Sequence, residues 1–296
     1  MVKFLTQPFR WYGSKAKMRS RILDVLATIP RKLYMEPFGG SGSIFFGKAP
    51  EKSIYNDTNG LLVNFFRKLR SKSDRDEIKE ITSYMPESRT YWHEMKDVCK
   101  AYQTGDKDRL DEAIRAANLK DYDETIAVAV AFFYCQNFAF SGTVLNSYGE
   151  KLNDATSSPG YESRIANLDE YAQRLALCNI TDRDFRDCIA KHDGTETLFY
   201  LDPPYEVKSN REYKSGWTSA DTSDLVAILC DLKGSAVLSC YDGELYRPLL
   251  DAGYEKRDFT TQTTIRRSYD DGSIFDRVET LYWRRSEAAE RQTLLF

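Results

Sequence analysis

Thr197-Leu198-Phe199-Tyr200-Leu201-Asp202-Pro203-Pro204-Tyr205 is an apolar run that stops dead on an acid, two prolines and an aromatic ring. Five consecutive apolar or β-favouring residues read as a buried strand of a parallel sheet. Proline lacks an N–H and cannot continue a ladder, so Pro203-Pro204 makes a stiff turn at the strand's carboxyl end. Open α/β sheets bind their ligands at that end. There an acid, a carbonyl fixed by the following proline and an aromatic ring converge. An exocyclic amine of a nucleobase carries two N–H donors and a π face. The acid and the carbonyl can accept its protons while the ring stacks on the base. The plainer alternative is a strand end in which Asp202 caps whatever follows.

Outward from this strand, αβ alternation appears on both sides of a different middle. Ser20 to Thr28 has helical apolar spacing and stops before Pro30. Lys32 to Glu36 is a strand candidate, followed by the turn Gly39-Gly40-Ser41-Gly42-Ser43. Lys52 to Asp57 is a second strand ending on an acid. After the middle block come a helix at Leu168 to Leu175 and a strand at Leu177 to Ile180. Beyond the Asp-Pro-Pro-Tyr turn lie a helix at Ser223 to Leu232 and strands at Ser235 to Ser239 and Glu279 to Trp283. The tail from Arg284 is charged and reads as frayed. The expected fold class is therefore α/β, a Rossmann-like sheet. Residues 1–62 and 166–296 form its two parts, and 63–165 are an inserted, mostly helical domain. That block contains helix candidates at Leu61 to Leu69, Tyr91 to Tyr102, Leu110 to Lys120 and Thr125 to Tyr134, and a densely charged stretch at Lys72 to Lys79. It ends in a Gly/Ser/Asn-rich loop or hairpin over Asn137 to Gly160.

Glycines 39, 40 and 42 allow a backbone to approach a ligand closely. The dinucleotide spacing GxGxxG is not completed, because position 45 is Phe. That argues against a nicotinamide enzyme and suits a cofactor without a pyrophosphate. Asp57, at a strand end, can accept both hydroxyls of a ribose; otherwise it caps the following helix.

Composition narrows the chemistry further. The 296 residues carry a net charge of −3, so a basic face must come from local clustering. Cys99, Cys135, Cys178, Cys188, Cys230 and Cys240 form no CxxC pair, and His93 and His192 stand alone, so no metal site is expected. No apolar run approaches the roughly 20 residues needed to cross a bilayer, and the N-terminus lacks a signal-peptide pattern. A cytoplasmic protein is expected.

Four segments, in order, resemble the D12 or Dam-like family of DNA N6-adenine methyltransferases: Arg10-Trp11-Tyr12-Gly13-Ser14-Lys15, Met35-Glu36-Pro37-Phe38-Gly39-Gly40-Ser41-Gly42-Ser43, Tyr55-Asn56-Asp57 and Asp202-Pro203-Pro204-Tyr205. The large insertion between the third and the fourth also matches. The resemblance implies transfer of a methyl group from S-adenosylmethionine to N6 of an adenine flipped out of double-stranded DNA. Asp202, Pro203, Pro204 and Tyr205 would be catalytic. Trp11, Tyr12, Gly13, Lys15, the run from Glu36, Pro37 and Phe38 through Gly39, Gly40, Ser41, Gly42 and Ser43, Asp57, Asp184, Phe185 and Asp202 would bind the cofactor. Trp11 would lie beside the sulfonium and Lys15 near the carboxylate; Asp184-Phe185, after a strand, would contact the cofactor adenine. Arg266 and Arg267, ahead of Asp271-Gly272, resemble a basic turn that contacts phosphate. Within the insertion, Gln136, Asn137, Asn146, Phe138, Phe140 and Tyr148 are of types that read base edges and wedge a stack. The segment from Gln136 to Lys151 lacks the arginine of the family's hairpin, so no base-contacting residue is assigned. The same chemistry on RNA adenine or cytosine N4, and an inactive DNA-binding homologue, stay open at this point.

Overall fold

The computed structural model describes residues 5–149, 160–205, 216–262 and 276–293. Seven strands form a sheet in the order β3-β2-β1-β4-β5-β7-β6: β1 Leu33–Glu36, β2 Ser53–Asn56, β3 Cys178–Thr181, β4 Thr197–Leu201, β5 Ser235–Cys240, β6 Glu255–Gln262 and β7 Asp276–Arg284. Strands β1, β4 and β5 run parallel, with Met35 beside Phe199 and Leu201 beside Leu238. Strand β7 is antiparallel to β5 and to β6. This is the Rossmann-like α/β class that the alternation implies.

The chain divides into two compact units. One comprises Met1–Arg19, Gly39–Glu51 and Tyr55–Arg183; the other comprises Ser20–Phe38, Lys52–Ile54 and Asp184–Phe296.

Most of the helices belong to the first unit. After α1 (Arg19–Ala27), which apart from Arg19 belongs to the second unit, the first unit holds α2 (Gly60–Arg70), α3 (Lys72–Ser83), α4 (Arg89–Thr104), α5 (Lys107–Ala116), α6 (Glu124–Asn137), α7 (Tyr161–Ala166) and α8 (Leu168–Leu175). Helix α6 is buried from Ile126 to Asn137, as an apolar run without amphipathic spacing demands. Helices α2, α3 and α4 pack on it. Phe65 of α2 stacks on Phe133 of α6 at 5.2 Å between ring centroids, and Phe9 meets Phe132 edge-on at 5.4 Å. Each such ring stabilises the unit by about 1.5–3 kcal/mol through burial. The charged stretch Lys72 to Lys79 lies within α3, which was not evident from its composition. Ile78 and Ile81 make a narrow buried stripe, while Arg75 and Lys79 both pair with Asp169 of α8, at 2.7 and 2.6 Å. Polar N-caps punctuate the unit: Asn59, Ser71, Ser88, Asp106 and Asp123 each accept from a backbone N–H of the helix they start.

In the second unit, α9 (Phe185–His192), α10 (Ser219–Cys230) and α11 (Pro248–Asp251) accompany β4 and β5. Met35, Phe199 and Leu201 of the sheet share one core with Leu225 and Leu229 of α10. The charged tail, expected to fray, forms α12 (Glu287–Thr293). Ser286 anchors it: its hydroxyl donates to the Thr195 carbonyl at 2.6 Å and accepts from the Ala289 N–H at 3.2 Å. Strand β6 also escaped the sequence reading. Its charged sequence suits an edge strand, and Glu255 to Asp258 are all exposed.

Candidate active site

In the second unit, all five residues of β4 are buried, and the chain leaves the sheet directly into Asp202. Pro203 is buried, while Asp202, Pro204 and Tyr205 are half-buried. The Tyr205 hydroxyl donates to Asp202 Oδ1 at 3.0 Å and lies 3.3 Å from Ser239 Oγ. Ser239 is fully buried on β5, one residue past the Leu201–Leu238 pairing, so the parallel register brings it level with Asp202. The Tyr205 ring packs against Tyr241 at 4.4 Å. Burial pushes the Tyr205 phenol well above its ordinary range, and the Asp202 and Glu279 carboxylates push it further. It therefore stays protonated and can act as a donor to Asp202. Ser239 and Tyr241 were missed in the sequence. The signal was there, since Ser239-Cys240-Tyr241 ends the strand after β4, but only the register makes it meaningful.

Glu36, at the end of β1, is buried and accepts from the Tyr34 hydroxyl at 2.6 Å. Burial, and then Glu36 itself, push that phenol well above its usual range. Pro37 is buried, and Phe38 forms a trio with Phe185 and Trp217, at 5.3 and 5.5 Å. Trp217 was also not singled out from sequence. Phe185 is thus part of the core as well as a candidate contact, and Asp184 caps α9 while pairing with Arg186 at 3.2 Å.

In the first unit the glycine turn is built tightly. The Gly39 N–H donates to the Asn56 carbonyl at 2.8 Å, and Gly42 closes back on Gly39 at 2.9 Å. Gly40 and Gly42 take positive φ, +51° and +69°. A Cβ at Gly39 would fall inside the Tyr55 ring, and one at Gly40 would lie 3.1 Å from Trp11 Nε1. Tyr55 donates to the Gly40 carbonyl. Ser41 and Ser43 are buried. Asp57 accepts from the Gly40 N–H at 2.8 Å through Oδ2 and from the Asn59 N–H at 2.9 Å through Oδ1. The α2 cap is Asn59, so Asp57 is not the capping residue. Burial raises its pKa, and the two backbone bonds oppose that rise. A carboxylate has about four acceptor positions, so two remain for hydroxyls.

The opening motif belongs to the same unit. Tyr12 donates its N–H to the Gly142 carbonyl at 3.0 Å, and a Cβ on Gly142 would lie 2.8 Å from the Trp11 backbone nitrogen. Gly13 has φ +78° and open space around it. Lys15 is buried, with Nζ 3.4 Å from the Gly13 carbonyl. Trp11, the glycine turn and Asp57 together are suited to a flat adenosyl group: backbone that can be approached closely, an indole and a hydroxyl-accepting acid. Arg266 and Arg267 lie outside the described residues.

Residues 11–276 match the profile of the D12 class N6 adenine-specific DNA methyltransferases. The chain belongs to this family. Similar proteins include the type II methyltransferase M1.LlaDCHI of Lactococcus lactis subsp. cremoris, 26% identical over 216 residues, covering 69% of this chain and 67% of that protein. The DNA N-6-adenine-methyltransferase of Escherichia phage P1 is 24% identical over 295 residues, which is 96% of this chain and 33% of that protein. The chain thus spans about a third of the phage protein's length. A DNA adenine methylase of Vibrio cholerae serotype O1 is 23% identical over 228 residues, 75% of this chain and 74% of that protein. The chain is accordingly an S-adenosylmethionine-dependent enzyme that methylates N6 of adenine in DNA. No helix among the described residues is long and apolar enough to cross a membrane.

Proposed function

We propose that Asp202, the Pro203 carbonyl and Tyr205 hold the target adenine, and that Trp11, Lys15, the turn Glu36–Ser43 and Asp57 hold the cofactor. The observation that carries the first assignment is a carboxylate at the end of fully buried β4, with a protonated phenol at 3.0 Å as its donor. Asp202 accepts one proton of the N6 amino group and the Pro203 carbonyl accepts the other. Both bonds draw the nitrogen's lone pair out of the ring and make it a better nucleophile. When bound, S-adenosylmethionine supplies an already activated methyl group. The chain's own contribution is therefore positioning and hydrogen bonding. Tyr205 keeps one Asp202 oxygen oriented and offers its ring face to the base. Asp57 takes the ribose hydroxyls with its two remaining acceptor positions, and Trp11 and Lys15 serve the methionine end. Asp184 and Phe185 bound the cofactor adenine.

The substrate in this reading is double-stranded DNA with the adenine flipped out, at a cost of a few kcal/mol. Residues 63–165 read the sequence, and Arg266 and Arg267 contact phosphate. The type II name of the Lactococcus relative supports a role in restriction-modification, and bacterial and phage relatives support a cytoplasmic location.

Incubation with radiolabelled S-adenosylmethionine and duplex DNA, followed by digestion and mass spectrometry, tests the reading. N6-methyladenine in DNA is expected. N4-methylcytosine, or label in RNA alone, overturns it.

A further inference from the structure

Several arginines of this acidic chain pair with acids. Arg75 pairs with Asp169, Arg67 with Asp182 at 3.1 Å, and Arg186 with Asp221 at 2.6 Å and Asp224 at 2.8 Å. Arg164 of α7 differs. It is only 4% exposed, yet its one acceptor among the described residues is the neutral Asn137 Oδ1, at 2.6 Å from Nη1. Its Nε is buried without a partner. A guanidinium stays charged at any pH a protein meets, and a buried charge requires a counter-charge.

The surroundings add cations instead. Asn137 and Gln136 are neighbours at the end of α6, and Gln136 Nε2 donates to the Arg10 carbonyl at 3.2 Å. The same helix end thereby holds Arg164 through a side chain and Arg10 through its backbone. Arg10 is half-buried, and its guanidinium makes no ion pair among the described residues. The Arg164 pKa is pushed down to about 10, by burial first and by the charge of Arg10 second. Its other electrostatic neighbour is the phenol of Tyr171, which burial holds neutral, up to about 12. Tyr171 is also the neighbour of Arg19, whose Nε is likewise buried and unpartnered.

We propose that Arg164 and Arg10, gathered at the end of α6, form an anion site that takes one phosphodiester of the DNA substrate. This rests on the DNA methyltransferase reading. The planar fork of a guanidinium matches two phosphate oxygens, and the DNA supplies an anion at every nucleotide. The rival anion is the carboxylate of the cofactor.

The test uses the full chain and a duplex oligonucleotide carrying the sequence it methylates. DNA affinity is measured across salt concentrations for the wild type, Arg10→Ala and Arg164→Lys, and cofactor affinity is measured by calorimetry. Arg10→Ala should weaken DNA binding roughly tenfold or more and reduce the salt slope by about 1, with cofactor affinity unchanged. Arg164→Lys, which keeps the charge but loses the fork, should weaken DNA binding and leave the slope unchanged. A single uncharged methylphosphonate at the contacted position should weaken the wild type and leave Arg10→Ala indifferent. Unaltered DNA affinity and slope in Arg10→Ala, or a loss of cofactor affinity with the slope intact, overturns the proposal. Arg10 is half-exposed, so its variant remains informative even where Arg164→Lys fails to fold. If the wild type itself transfers no methyl to DNA, the enzyme reading fails. If it does, and the variants bind like it, the anion site alone fails.

Discussion

Asp57 and Asp202 are both carboxylates at strand ends, yet the fold holds them by different means. Asp57 is gripped by backbone: the N–H groups of Gly40 and Asn59 each take one oxygen. Asp202 is steadied by a side chain, the Tyr205 hydroxyl, which also lies by Ser239. Backbone donors cannot leave without unmaking the turn. A phenol can rotate away or exchange partners at the cost of one hydrogen bond. In the proposed roles, the difference would suit Asp57 to presenting fixed acceptors to a cofactor and Asp202 to following an amine as its character changes during reaction.

The most severe test of that contrast is Asp202→Ala. Turnover should fall by on the order of 10²–10³-fold or more, while cofactor affinity moves only a few-fold. Methyl transfer and calorimetry measure the two, and parallel losses would erase the distinction. Asp57→Ala should do the opposite. Loss of acceptors for two hydroxyls weakens cofactor binding roughly tenfold to a hundredfold, and turnover at saturating cofactor stays within a few-fold.

Tyr205→Phe sharpens the comparison by keeping the ring and deleting the donor. Turnover should drop by about tenfold. Undiminished turnover would mean that the phenol's hydrogen bond does not steady the acid. The smallest effect concerns folding. The Asp57 pKa is raised in the fold, chiefly by burial. Its contribution to stability is therefore fully present below the unfolded carboxylate value and is lost as pH rises through the raised folded value. The stability of the wild type relative to Asp57→Asn, from denaturant titrations at several pH values, should decline across that window. A flat difference would show that the backbone bonds fully offset the burial.

Much of this was legible along the chain. The strand into Asp202 needed only an apolar run and two prolines, and the glycine turn only its spacing, because both signals are local and steric. Positive φ at Gly40 and Gly42 is the same signal seen in space. Other features were invisible for equally physical reasons. Helix α3 hides a two-isoleucine stripe among charges that are paired across to Asp169. Helix α12 depends on Ser286 reaching the Thr195 carbonyl, some ninety residues away.

By itself the sequence determined six of the seven strands, β6 excepted, the helices with clear apolar spacing, the two acids, the turns beside them and the family. Those follow from periodicity, proline and glycine sterics and motif order, which act between near neighbours. Tertiary structure alone decided that Ser239 stands level with Asp202, that Asn59 and not Asp57 caps α2, and that Arg164 is buried without an acid. Those depend on strand register and on which distant side chains share a buried space, and hydrogen bonds and charges are settled there by proximity that no local pattern records.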